Sequence, residues 1–434
     1  MEKIDNYFGI TEQNSSFKIE IIAGITTFLT MAYIVLLAPD TLSVTGMDKG
    51  AVFTATCLIS AISCFIMGIY AKLPVALAPG VSLLYFFAYS VCGNMDKSWE
   101  VALGCVFVSG IIFLLISLFK IREWIIDNIP HNLKKAIAAG LGGFILFIGL
   151  QKAGLIVNSE GTLVQIGDFS EYKTFMAIFC FLLIMMLQQL HITGGIVIAM
   201  LVITVGAIIT GHTELPAGIV SAPPSVEPIL FKMDWAAALD ISMLTIVFAF
   251  LFVDLFDTAG TLITVTDRAG LVKDKKIPRL KQALISDSAA TVLGSMFGVS
   301  STTSYVESAS GIAAGGRTGL VAVATGVCFL LILFFSPIAQ IVPPEATAGA
   351  LIYVGILMLS ALGEIDWTDI TEYAPALLTV FGITLSYSIA DGIAIGFISY
   401  ALIKCLCDKA SEVSIGVWVI AGLLLLRIFL VMLA

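Results

Sequence analysis

Twelve apolar stretches of spanning or near-spanning length leave this chain few ways to fold. They lie at about 20–39, 51–71, 98–119, 133–151, 174–190, 193–211, 241–265, 281–298, 318–337, 346–363, 374–389 and 391–407. A bilayer core takes ~20 apolar residues as a helix, and lipid satisfies no exposed backbone group, so such stretches must be helical. Two further candidates, 74–92 and 299–315, are interrupted by Pro or Gly and by hydroxyls, which brings the count to about fourteen. With 59% hydrophobic and 12% charged residues and a mean hydropathy of +1.04, the 434-residue chain reads as an all-α polytopic membrane protein. No nucleic-acid partner is expected. The N-terminus is polar to about Glu20, and no small-residue cleavage site follows, so no cleaved signal peptide is expected.

The two interrupted segments occupy corresponding places, each third in a group of seven. The first reads APGVSLLYFFAYS from residue 78 and the second GVSSTTSYVESAS from residue 298; both contain Gly-Val-Ser. Later echoes keep the order: GGFILFIGL and GALIYVGIL each follow a Pro, and TGGIVIA resembles ADGIAIG. Seven is odd, so the second group enters from the opposite face, giving inverted repeats with broken helices at a midplane site. The boundaries follow: 1–19 an N-terminal cytoplasmic segment, 20–211 the first repeat, 212–239 a connecting loop, 240–407 the second repeat, and 408–434 a C-terminal apolar segment. This last stretch carries Arg427 and is compatible with spanning or with lying in the interface.

Loop charge orients the chain. With the N-terminus inside, Lys72, Lys120, Arg122, Lys134, Lys135, Arg268, Lys273, Lys275, Lys276, Arg279, Lys281, Arg317 and Lys409 are all cytoplasmic, and the opposite loops hold few bases. One inner loop disagrees, for Glu364, Asp366, Asp369 and Glu372 come without a local Lys or Arg. Of the eight cysteines most sit inside apolar runs as small fillers, and His131, His191 and His212 do not cluster, so neither a metal nor a cofactor is expected.

Ionisable groups at bilayer depth mark function by default. Glu307 sits where a β-branched, hydroxyl-rich run, 299–305, gives way to a small, helix-compatible one, so a strand feeding a short helix is expected with Glu307 at the junction. As an alternative it serves as an N-cap. Asp254 and Asp257, three apart, share a helix face, and two such carboxylates cannot both ionise cheaply, which suits a proton-coupled site. Asp287 either joins them, bonds to hydroxyls such as Ser286 or Ser288, or lies close to the basic cytoplasmic end. Asp391 is expected to cap its helix. In an extended segment half of the hydroxyls from Ser300 to Ser304 must face away from a ligand.

Five motifs carry a family resemblance: TTFLTMAYIV from residue 26, FVDLFDTAGTLI from 252, IPRLKQALISDSAATVLGS from 277, TTSYVESASGIAAGGRTGL from 302 and LSYSIADGIAIGFISYALIK from 385. Together they resemble the AzgA-like purine permeases over residues 21–404. The resemblance implies the uracil-transporter-type fold, with a core of segments one to four and eight to eleven and a gate of the rest. It also implies proton symport of hypoxanthine, guanine or adenine into the cell across the cytoplasmic membrane, with no enzyme activity, and a homodimer. By the same resemblance Asp254 and Glu307 bind substrate, while Asp257 and Asp287 serve transport with Asp254. Ser82, Leu84, Tyr85, Phe86, Thr302, Thr303 and Val306 complete the expected pocket, a planar base stacking on Phe86 or Tyr85. The third segment departs from the family's APGMGLNAFFAY: Leu84 replaces a substrate-binding Asn and Tyr85 a small residue. The first segment has LLAPDTL in place of FVNPXIL. Loss of the amide leaves another nucleobase or a small anion as the alternative substrate.

Overall fold

The computed structural model describes residues 2–119, 129–216, 218–272 and 277–433. Lys120, Arg122, Lys273, Lys275 and Lys276 of the expected basic loops lie outside them. Among the described residues nine helices are long and apolar enough to cross a bilayer. Three shorter apolar helices, Val81–Asn94, Gly195–Ile209 and Ile370–Ser386, fill further places in the expected series. Two more go to Leu280–Met296 and to the strand-and-helix unit ending in Ser308–Ala313. The C-terminal stretch is a helix, Ile415–Leu433, packed on Ile389–Leu406.

Among the described residues four short strands occur: β1 (Leu77–Pro79), β2 (Ile156–Ser159), β3 (Leu163–Ile166) and β4 (Thr302–Ser304). β2 and β3 form an exposed hairpin between helices, which hydropathy alone does not announce. β1 and β4 matter more. They pair antiparallel with Leu77 opposite Ser304, Ala78 opposite Thr303 and Pro79 opposite Thr302. Each broken segment thus satisfies the other's backbone at a depth where water cannot. The Gly-Val-Ser echo is not the equivalence it resembles, since Gly80 follows β1 whereas Gly298 precedes β4. The positions that do correspond are the N-caps of the two half-helices, Gly80 and Glu307.

By packing, the chain divides into two units. The first comprises Met1–Leu118 and Lys152–Ala350 and contains both broken segments. Its first span is two helices, Phe17–Met31 and Ile34–Ser43, with a turn at Ala32 and Tyr33 between them. Ser16 caps the start by accepting from Ile19 N–H at 3.3 Å. Fully buried Glu20 accepts from the backbone N–H of Arg317 and Thr318, both at 3.0 Å, and from Thr318 Oγ1 at 2.7 Å, tying this span to the segment after β4. Gly311 lets the half-helix Ser308–Ala313 press on the same span, because a Cβ there would meet Thr27 Oγ1 at 2.1 Å and Ala23 O at 2.6 Å.

The second unit comprises Phe119–Gln151 and Leu351–Ala434. Here the acidic loop finds the bases its own sequence lacks. Lys135 pairs with Glu364, Lys409 with Asp369 at 2.5 Å, and Lys404 with both Glu372 at 2.7 Å and Glu412 at 2.6 Å. Glu372 also accepts from Asn132 Nδ2 at 2.9 Å and Tyr400 Oη at 3.1 Å. Hydrogen bonds from Lys409 and from Thr371 hold the Asp369 carboxyl well below the usual carboxylate range. Ser388, not Asp391, caps Ile389–Leu406: its side chain accepts from Asp391 N–H, and Asp391 lies in the first turn, where an acid suits the helix dipole.

Candidate functional site

The site is built where β1 and β4 cross. Thr302 and Ser304, two apart on β4, turn to one face, as a pleated strand requires. Ser304 Oγ donates to Asp287 Oδ1 at 3.1 Å, and Thr302 Oγ1 lies where a Cβ on Gly294 would be 2.8 Å away, so both meet the helix Leu280–Met296. Thr303, on the opposite face, abuts Gly80, where an added Cβ would be 2.9 Å from its Cγ2. The hydroxyls of Ser300, Ser301 and Thr302 are buried without a well-formed hydrogen bond among the described residues, and the buried Ser82 hydroxyl is turned toward Asp257.

The three aspartates divide among two helices. Leu244–Arg268 is continuous through LFVDLFDTAGTLI, and Asp254 is buried at 2% exposure while Asp257 is half-buried. Asp254 Oδ2 and Thr291 Oγ1 are 2.9 Å apart, and Asp257 faces Ser82 and Glu307. Asp287, fully buried, accepts from Thr258 Oγ1 at 2.7 Å as well as from Ser304. The local alternative for Asp287 does not hold, since the Ser286 and Ser288 hydroxyls donate to carbonyls one turn back. Asp287 instead braces two helices and β4.

Glu307 occupies the N-cap position of Ser308–Ala313, but its backbone is already helical and its side chain makes no capping bond. The carboxylate is turned to the first span, where Tyr33 Oη donates to Glu307 Oε1 at 2.6 Å. Two further contacts step along the same pair of elements: Thr30 Oγ1 with Ser310 Oγ at 2.9 Å, and Thr27 against Gly311. The turn at Ala32 and Tyr33 therefore delivers a fully buried tyrosine to the acid. Glu307 is half-buried, and neighbouring Val306 is 42% exposed. Sequence reading passes over Tyr33, Thr291 and Thr258, because a hydroxyl in an apolar helix gives no signal until its partner is known.

The third-segment residues separate. Leu84 and Phe86 are fully buried, and Phe86 sets its edge on Phe250, four residues before Asp254, at 5.0 Å between centroids. Tyr85 faces another cluster: its hydroxyl accepts from Thr41 Oγ1 at 2.8 Å and its ring stacks parallel on Tyr89 at 5.7 Å. Beside them Asp40 pairs with Lys152 at 2.7 Å and accepts from Thr347 Oγ1 at 3.2 Å. Two of the departures from the family pattern, Thr41 and Tyr85, thus meet in one polar cluster beside Asp40.

The permease-family sequence model (Xan_ur_permease) matches residues 18–395. The chain is 44% identical to the adenine permease AdeP of Escherichia coli over 98% of this chain and 96% of that protein. It is 45% identical to the guanine/hypoxanthine permease PbuG of Bacillus subtilis over 94% and 95% of the respective chains. Among solved structures, the transmembrane domain of the cyanobacterial bicarbonate transporter BicA superposes with a TM-score of 0.64 at 14% identity, covering 87% of this chain and 96% of that one. The murine anion transporter Slc26a9 in its inward-facing state gives 0.64 at 10% identity, over 94% and 72%. At such identities these likenesses speak for the fold alone, the seven-plus-seven inverted repeat with paired broken segments. Sequence and fold agree: the chain belongs to the permease family, among its AzgA-like nucleobase permeases, and is a multi-pass transporter of the cell membrane rather than an enzyme.

Proposed function

We propose that this transporter takes up purine bases together with protons. The observation that carries the reading is the half-buried Glu307 carboxylate, fixed through Oε1 by Tyr33 beside Asp257 and at the end of the strand that Thr291 links to Asp254. A purine base presents ring N–H donors, joined in adenine and guanine by exocyclic N–H donors in the same plane, and carboxylate oxygens are the matching acceptors. Relatives named for adenine and for guanine and hypoxanthine support the class of base. An acid held by hydroxyls gains or loses a proton without stranding a cation, which suits coupling to a proton gradient. The base enters with its face toward Phe86 and its N–H edge toward Glu307 and Asp254. Uptake of a proton at the aspartates then permits the core, segments one to four and eight to eleven, to move against the remaining segments.

The direct test is uptake of labelled adenine, hypoxanthine, guanine, xanthine and uracil by proteoliposomes under an imposed proton gradient. Saturable purine uptake abolished by a protonophore is the expected result. Uptake indifferent to the gradient removes the proton from the mechanism. A second reading, another substrate on the same fold, rests on Leu84, whose fully buried aliphatic side chain stands where the family's amide does. If wild type carries no base and Leu84→Asn does, that reading replaces the first.

A further inference from the structure

We propose that Thr291 is the positioning residue through which protonation of Asp254 is passed to the crossing strand. The inference rests on the proton-coupled reading above and names where the proton acts. Thr291 Oγ1 is 2.9 Å from Asp254 Oδ2 and also 2.9 Å from the backbone carbonyl oxygen of Thr302. A hydroxyl carries one proton and two lone pairs. Between two acceptors, a carboxylate and a carbonyl, it completes one bond or shares its proton poorly between both. If Asp254 is protonated, both contacts become full bonds: Asp254 O–H donates to Thr291 Oγ1, and Thr291 O–H donates to Thr302 O. This protonated chain is the assignment that satisfies both distances.

The Thr302 carbonyl has reason to need that bond. Backbone bonds outside the short ladder run from Gly80 N–H to Ser301 O and from Tyr305 N–H to Ala76 O, both at 2.9 Å. Antiparallel pairing alternates, so Thr302, opposite Pro79, falls at the position whose groups point away from β1. A buried carbonyl there must find a partner elsewhere, and Thr291 supplies it. When Asp254 loses its proton, the Thr291 hydroxyl swings to the carboxylate, because a bond to a charged acceptor is about twice as strong as one to a neutral acceptor. The Thr302 carbonyl is then released, five residues before Glu307 on the same strand-and-helix unit. No atom is consumed: the proton arrives from water on one face, resides on Asp254, and leaves to water on the other. The titratable groups facing this relay are Asp257 on the same helix, Asp287 on the helix of Thr291, and Glu307 and Tyr305 beyond β4.

The test compares Thr291→Val, which keeps the shape and removes the hydroxyl, with Thr291→Ser, which keeps the hydroxyl. Labelled adenine and hypoxanthine are followed in proteoliposomes in two modes, accumulation against a gradient and exchange at equal pH. The expected result is a tenfold or greater loss of proton-driven accumulation in Thr291→Val, with exchange reduced less and accumulation recovered in Thr291→Ser. Wild-type pH dependence and accumulation in Thr291→Val overturn the relay. Wild type that is itself indifferent to pH overturns the coupled function instead, so the two failures are distinct. Infrared difference spectra of the purified protein keep the proposal testable if Thr291→Val does not transport. A protonated-carboxyl band abolished by Asp254→Asn is expected to move in Thr291→Val and stay in place in Thr291→Ser. Absence of that band in wild type, or its indifference to Thr291→Val, overturns the proposal.

Discussion

Two groups of acids, one at the strand crossing and one in the second unit, are held in opposite ways. Glu372 and Asp369 meet the ammonium groups of Lys404 and Lys409. Glu307, Asp254 and Asp287 meet the hydroxyls of Tyr33, Thr291, Thr258 and Ser304. A carboxylate paired with lysine is fixed in its ionised form, because protonating it leaves a cation unpaired in a poor solvent. One held by hydroxyls has neutral neighbours that reverse between donor and acceptor, so both of its protonation states are bonded. The same residue type is thus a strut in one place and a titrating group in the other.

The comparison breaks if the lysine-paired acids prove dispensable for stability. Lys404→Met leaves Glu372 and Glu412 facing each other, and is expected to destabilise the protein by about 3 kcal/mol, the low end for a buried pair because Glu412 stays half in water. Its effect is read as a lowered melting temperature in detergent, and an unchanged melt removes the strut. Glu307→Gln should do the reverse, leaving the melt nearly intact while weakening purine binding ~10- to 100-fold, the worth of a hydrogen bond to a charged group. Equilibrium binding of labelled adenine and hypoxanthine decides it; unchanged binding places the ligand elsewhere. Tyr33→Phe sharpens the contrast by removing one donor and no charge. A loss of roughly 1 to 2 kcal/mol in binding is expected, falling towards zero in the Glu307→Gln background. Equal losses in both backgrounds would detach Tyr33 from the acid.

The smallest effect is at the surface. Because Lys409 and Thr371 depress the Asp369 carboxyl, its stabilisation is present at neutral pH and fades as pH falls below the ordinary aspartate range of about 4 toward its lower folded value. Asp369→Asn should lower the melting temperature slightly at pH 7, with the difference from wild type shrinking in acid. A difference that grows in acid would assign Asp369 some other partner.

Legibility in the sequence followed charge and periodicity. The spans, the strand-to-helix change before Glu307 and the depth of the four acids all follow from residue types that are costly or poorly helical in an apolar run. What hid were partnerships. The counter-ions of the acidic loop come from helices distant in sequence, and Tyr33 matters through a turn that TMAYIV does not announce. Tyr85 reads as an aromatic available for stacking, yet Thr41 and Tyr89 engage it first. Gly-Val-Ser misled because composition repeats more easily than register.

The pairing of β1 with β4 also sets a schedule for making the protein. Pro79 and its hydrogen-bonding partner Tyr305 are 226 residues apart in the chain. During synthesis the first strand leaves the ribosome long before the second exists, with backbone groups that lipid cannot satisfy. The nascent first half must therefore be sheltered, by water, by its own helices or by the insertion machinery, until the second half arrives. A chain stopped between the halves is left with an open seam at its centre, a natural signal for quality control.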